Sequence, residues 1–265
     1  MNGTRIDPRL RERRIRVRRQ QGRRRLRRLI GLVLAMALVA LVVLIARSEL
    51  LDIDRVVVEG VSGPRADEVR QVSGITLGDP LATAGIGAAE QRVTALPWVR
   101  SVDGSRRWPS TVGLVVVPRE AFALAVGPDG AGIVVDVDGV AIEVVDDTSR
   151  STLPRVDVVV EGSLGTVQEE VLPVLALIAV VPEDLMVWIE VFSTVRNDAE
   201  PPSFSLDLVG SATADLGYED DLPAKLEALR AILGRVDRRC MATIDLQVAE
   251  LPSVRRDPEC EAQLP

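Results

Sequence analysis

Three pairs of carboxylates, Asp136/Asp138, Asp146/Asp147 and Asp220/Asp221, have the strongest claim on chemistry in this chain of 265 residues. Two acids at close spacing can divide general acid and general base work at a glycosidic bond, or ligate calcium through their oxygens. None of the pairs has the spacing of a calcium loop. The first and last stand at turn and helix-start positions, where aspartate is favoured for local hydrogen bonding. Other catalytic kits cannot be assembled. There is no histidine, so a Ser-His-Asp or Cys-His site lacks the imidazole that carries the proton. The only lysine, Lys225, lies in Pro-Ala-Lys-Leu rather than in a Walker loop, and Leu222 stands three residues before it where a Ser-x-x-Lys dyad needs serine. Two thiols, Cys240 and Cys260, are too few for a zinc site without histidine. Gly127 to Gly132 has the glycines of a phosphate loop, but no lysine and no helical pattern after it, so it reads as a turn. The expectation is a chain with no catalytic residue, no cofactor and no metal.

The elements around these residues are organised by charge. Thirteen arginines against Asp7 and Glu12 give residues 1–28 a charge of +11, whereas residues 29–265 carry 19 basic and 37 acidic side chains, or −18. Between the two lies Leu29 to Ala46, 18 residues without a charge. As a helix this run is about 27 Å long, close to the hydrocarbon thickness of a bilayer. It reads as a single transmembrane helix over 29–46, and the excess of arginine before it puts the basic tail, 1–28, in the cytoplasm and the rest outside. Ala35-Met36-Ala37 has the form of a signal-peptidase site but sits mid-run, behind a leader long for a signal peptide, so a retained anchor is the expectation. The arginine tail reads as a topological signal touching anionic lipid, not as a nucleic-acid arm.

Residues 47–118 follow as a small α+β unit. Leu51 to Gly60 has the β-branched content of a strand. A helix opens at Pro64 and stops at Gly74, and a second, after Asp79-Pro80, places Ile86, Ala89, Val93 and Leu96 on one stripe before Pro97. Trp98 to Arg107 and Thr111 to Val117 form a hairpin across Trp108-Pro109-Ser110. The order is βααββ. Residues 119–250 are richer in strands: Ala121 to Val126, Gly132 to Val137, Val140 to Val145, Met186 to Phe192, Phe204 to Val209, Ala212 to Leu216 and Met241 to Val248, with helices over Glu169 to Val181 and Asp221 to Leu233. The prolines and mixed charges of 251–265 read as a loose tail.

Several short patterns occur in order: the basic tail and span; the strand DIDRVVVEG; Leu96-Pro97-Trp98-Val99; Trp108-Pro109-Ser110-Thr111; Pro118-Arg119-Glu120-Ala121; Val135 to Gly139; Leu153-Pro154; and Gly217-Tyr218-Glu219-Asp220 running into Lys225-Leu226. Together they resemble the FtsQ/DivIB family of bacterial cell-division proteins over nearly the whole chain. The resemblance implies an α+β protein: one transmembrane helix, a POTRA domain, then a β domain of antiparallel strands with two helices. It also implies a non-enzymatic, single-pass scaffold in the cell membrane at the division septum. Such a scaffold binds FtsB/DivIC-like and FtsL-like proteins outside the membrane and helps control septal peptidoglycan synthesis, with neither nucleic acid nor a small-molecule substrate.

In that family the strand after the last helix contacts FtsB, and the matching residues are Ile244, Asp245, Leu246, Gln247 and Val248. An open sheet edge can accept an added strand. The alternative is that alternate residues of this strand face the core while the C-terminal tail covers its edge. If the topology holds, Cys240 and Cys260 lie on the oxidising side; a bridge would close a loop of about 20 residues, and the alternative is one buried and one exposed thiol. Two other functions fit less of the sequence. A POTRA-bearing envelope assembly or secretion factor usually repeats the POTRA unit or adds a barrel. A membrane-anchored cell-wall hydrolase would rely on the paired carboxylates.

Overall fold

A computed structural model describes residues 27–41, 44, 51–127, 130–160, 163–197, 200–235 and 239–261. Residues 27–41 are helical with exposed side chains. No described helix is long and apolar enough to cross a membrane. The expected span over 29–46 extends past the described residues at Val42, Val43, Ile45 and Ala46, and most of the arginine tail also lies outside them. Two compact units follow, one around a three-stranded sheet and one around a nine-stranded sheet.

The first sheet has the order β1-β3-β2, from β1 (Arg55–Glu59), β2 (Val99–Arg107) and β3 (Thr111–Pro118). β1 runs parallel to β3, with Val57 opposite Gly113. Parallel neighbours need a crossover, which is supplied by α1 (Pro64–Ser73) and α2 (Ile86–Thr94). Pro64 opens α1 with its φ already helical, and Gly74 ends it at φ 61, a left-handed conformation that glycine adopts without a Cβ clash. Ala66, Val69 and Ser73 are the buried face of α1; Ile86, Ala89 and Val93 of the predicted stripe are buried on α2, while Leu96 lies past the end of the helix and is half-buried. On the outer face Arg107 reaches across Gly113 to pair with Glu59. A Cβ on residue 113 would stand 2.8 Å from the Arg107 Nε, so a larger residue there would push the guanidinium out of this crossing. The hydrogen bond and charge of Arg107 hold the Glu59 carboxyl below its ordinary range.

The second sheet has the order β12-β11-β10-β9-β8-β7-β4-β5-β6. Its strands are β4 (Ala123–Val126), β5 (Gly132–Val135), β6 (Ala141–Val145), β7 (Arg155–Val159), β8 (Ile189–Asn197), β9 (Glu200–Leu208), β10 (Ala212–Gly217), β11 (Met241–Asp245) and β12 (Ser253–Arg256). The expected all-antiparallel sheet is corrected: β4 with β7, β7 with β8 and β10 with β11 pair in parallel. For the last two pairs the reason lies in the helices, whereas β4 reaches β7 through the strands β5 and β6. α3 (Leu172–Val180), with the short α4 (Glu183–Met186), connects β7 to β8, and α5 (Leu222–Arg235) connects β10 to β11. Each helix is a crossover, which returns the chain to the same end of the sheet.

Register sorts the side chains. Val156, Phe192, Leu206, Ala214, Ile244 and Val254 stand opposite one another across six strands. They belong to one core with Val174, Leu175, Leu177 and Ile178 from α3 and Leu222, Leu226, Leu229 and Ile232 from α5. One residue along, Asp157, Ser193, Ser205, Asp215, Asp245 and Ser253 form the neighbouring row on the opposite face. This is the alternation of a sheet with one face on the core.

Candidate partner-binding edge

One carboxylate of each pair, Asp136, Asp147 and Asp220, has local structural work. Asp136 is buried; its Oδ2 accepts from Arg119 Nη1 at 2.7 Å, and its Oδ1 accepts from the amides of Asp138 and Val140 at 3.0 and 2.8 Å. That is the hydrogen-bond set of an aspartate closing a turn. Asp147 accepts from the amide and hydroxyl of Ser149, capping a short helical turn, and these bonds hold its carboxyl below the ordinary range. Asp220 accepts from Lys225 Nζ at 3.1 Å, and the Asp221 carbonyl accepts the first amide bond of α5 from Lys225. Lys225, the sole lysine, is buried and also donates to the Tyr218 carbonyl at 2.9 Å, which fixes the loop entering α5. Among the described residues no three metal-ligating side chains come together. A surface cleft of about 520 Å³ between Ser151–Arg155 and Met186–Phe192 is lined by one carboxylate, Glu190, and one guanidinium, Arg155. Among the described residues that line it there is no second acid for an acid/base pair.

The geometry instead singles out one end of the nine-stranded sheet. Ile244 and Leu246 are fully buried, whereas Asp245, Gln247 and Val248 are exposed. Asp215 ties this segment to β10: its carbonyl accepts from the Leu246 amide (2.8 Å), its Oδ2 from Gln247 Nε2 (2.8 Å) and its Oδ1 from the Gly217 amide (2.9 Å). Gly217 has φ 63, and a Cβ there would come within 3.0 Å of the Gln247 side chain, so glycine is required by both the turn and the close approach.

The reading of 244–248 as an open edge is corrected on one point. β11 is paired on both sides, with β10 in parallel and with β12 antiparallel, Ile244 opposite Val254 and Asp245 opposite Ser253. Its amides are therefore occupied. Ser253–Arg256, expected as part of a loose tail, is the terminal strand of the sheet, followed by the short α6 (Pro258–Glu261). Cys240 and Cys260 are disulfide-bonded, with Cα atoms 5.4 Å apart, and this bond ties α6 beside the start of β11. The Asp257 amide donates inward to the Cys240 carbonyl at 2.8 Å. By the two-residue alternation of a strand, Ser253 and Arg255 then turn their peptide groups toward β11, and Val254 and Arg256 turn theirs outward. Among the described residues, no strand pairs with that outward side.

Comparison with known proteins agrees with the fold of the first unit. Residues 51–119 match the family model of the FtsQ-type POTRA domain. The chain is 28% identical over 207 residues to the cell division protein FtsQ of Mycobacterium leprae, covering 77% of this chain and 56% of that protein. It is 32% identical over 117 residues to FtsQ of Streptomyces griseus, covering 44% of this chain and 55% of that protein. With FtsQ of Corynebacterium glutamicum the identity is 33% over 90 residues, 34% of this chain and 40% of that protein. The matches thus span about half the length of these curated relatives. With the βααββ order of the first unit, they show that residues 51–119 are a POTRA domain of the FtsQ type, and they support the resemblance of the chain to the FtsQ/DivIB family of bacterial cell-division proteins.

Proposed function

We propose that the chain is a non-enzymatic cell-division scaffold that captures an FtsB/DivIC-like partner, together with an FtsL-like one, by strand addition at the terminal edge of the nine-stranded sheet. The observation that carries this reading is the outward row of peptide groups on β12, beyond which no described strand lies. An incoming extended segment completes that ladder through main-chain hydrogen bonds, and its alternate side chains meet Ser253 and Arg255 on one face. The exposed Asp245, Gln247 and Val248 lie behind the edge and are available to flanking parts of the same partner. The anchoring part of the reading is supported by the uncharged run 29–46 and the thirteen arginines before it: one span in the cell membrane, the N-terminus in the cytoplasm and both folded units outside. In this position the scaffold serves septal peptidoglycan synthesis by holding other polypeptides.

The test is a Val254→Pro substitution in the full chain. It removes an outward donor at the centre of β12, where an edge strand tolerates proline, and keeps an apolar ring against the core. Retention of the FtsB-like partner in a pull-down is expected to fall by about tenfold, the cost of roughly one backbone hydrogen bond. Undiminished retention by a folded Val254→Pro chain would rule out strand addition at β12.

A further inference from the structure

The strand that forms this edge is itself weakly held except by one covalent bond. β12 has four residues, of which Val254 packs against the core while Ser253 and Arg255 are exposed; Leu251, just before it, is 78% exposed. A strand with so little buried apolar surface opens at low cost. The Cys240–Cys260 disulfide opposes that opening by closing the chain over a separation of 20 residues, from the start of β11 to the far side of β12. Neither cysteine is fully buried, so a thiolate has access to the bridge. Beneath the strap lies a complete acceptor. The Leu246 amide faces β10, so the amides of Thr243 and Asp245 face β12, and Ile244 waits in the core row for the residue opposite it.

We infer that the Cys240–Cys260 disulfide gates a second, latent strand-acceptor edge: on reduction the C-terminal strap leaves β11, and β11 takes an antiparallel segment of another polypeptide that sets a branched apolar residue opposite Ile244. This rests on the reading of the same sheet end as the partner site and adds its regulation. The reductant is a dithiol. Its thiolate attacks one sulfur of the bridge, the S–S bond breaks, and the other cysteine leaves as a thiolate that takes up a proton. The second thiol of the reductant then resolves the mixed disulfide and frees the first cysteine. The protein gains two electrons and two protons as two thiols, and the dithiol becomes a disulfide.

Amide hydrogen exchange on the full chain in detergent tests the gate in three forms: oxidised, reduced with dithiothreitol, and carrying Cys260→Ser. Releasing a tether of this length favours the open strap by roughly a hundredfold. Exchange at Thr243 and Asp245 is therefore expected to accelerate about a hundredfold in the reduced and Cys260→Ser forms. Leu226 and Leu229 in α5 should stay protected. A fluorescent synthetic peptide copying residues 250–258 is then expected to bind the reduced chain and not the oxidised one. Unchanged exchange, equal binding to both forms, or no binding to the reduced form overturns the inference. These readouts involve no FtsB-like protein, so a negative Val254→Pro pull-down would remove the partner reading while leaving the gate to stand or fall separately.

Discussion

Replacing Phe192 with alanine lowers the unfolding free energy of the nine-stranded unit by about 3–5 kcal/mol, as expected for deleting a fully buried aromatic ring. Phe192 is 1% exposed and stands near the middle of the core row, between Val156 and Leu206 and in the same core as the apolar residues of α3. Its loss leaves a void that neither the sheet nor the crossover helix can close without shifting the registers on which β10, β11 and β12 depend. Denaturant unfolding followed by the heat or fluorescence signal of this unit reads the effect directly. A loss below about 1 kcal/mol would mean that Phe192 is not enclosed by the helices.

The second large effect is at Asp136. Asp136→Ala removes the acceptor of Arg119 and of two turn amides at once, and leaves a guanidinium whose Nε already has no hydrogen-bond partner among the described residues. Breaking a largely buried charge pair from one side costs about 3–5 kcal/mol, since the remaining charge stays desolvated. The expected outcome is a strongly destabilised second unit, with Asp136→Asn intermediate because it keeps an oxygen for the turn. The same substitution separates scaffold from hydrolase. Asp136 is buried, with both oxygens already accepting from Arg119 and two turn amides, so isolated wild-type protein is expected to release no peptidoglycan fragments. Turnover that disappears in Asp136→Asn would support the hydrolase instead.

Much of this architecture was legible because it is written in local chemistry. Pro64 and Gly74 bracket α1, the stripe Ile86-Ala89-Val93 marks the buried side of α2, and Phe204, Leu206 and Leu208 alternate against Ser205 and Asp207 as a strand with one face on the core. What escaped the sequence depends on distant partners. β7 has only five residues and lies between two parallel neighbours, β4 and β8, so no hairpin turn announces it. The parallel pairing follows from where α3 and α5 return the chain, which a helical stripe does not encode. β12 is the clearest case. Ser253-Val254-Arg255-Arg256 has one apolar side chain and prolines on both flanks, at 252 and 258, and its strand character comes from β11 and the disulfide 20 residues apart. At 244–248 the alternation of buried and exposed residues could be read, but not the identity of the strand that covers them.

Strand addition by another polypeptide at the β12 end of the sheet is the central proposal. Photo-crosslinking in dividing cells tests it most directly, with a photoreactive residue placed singly at Ser253 or Arg255 on β12 and at Val144 on β6, the opposite end of the same sheet. A crosslink to an FtsB/DivIC-like protein is expected from both β12 positions and none from Val144. Crosslinks to that protein from Val144 alone, or from neither end while the chain still supports septation, would contradict it.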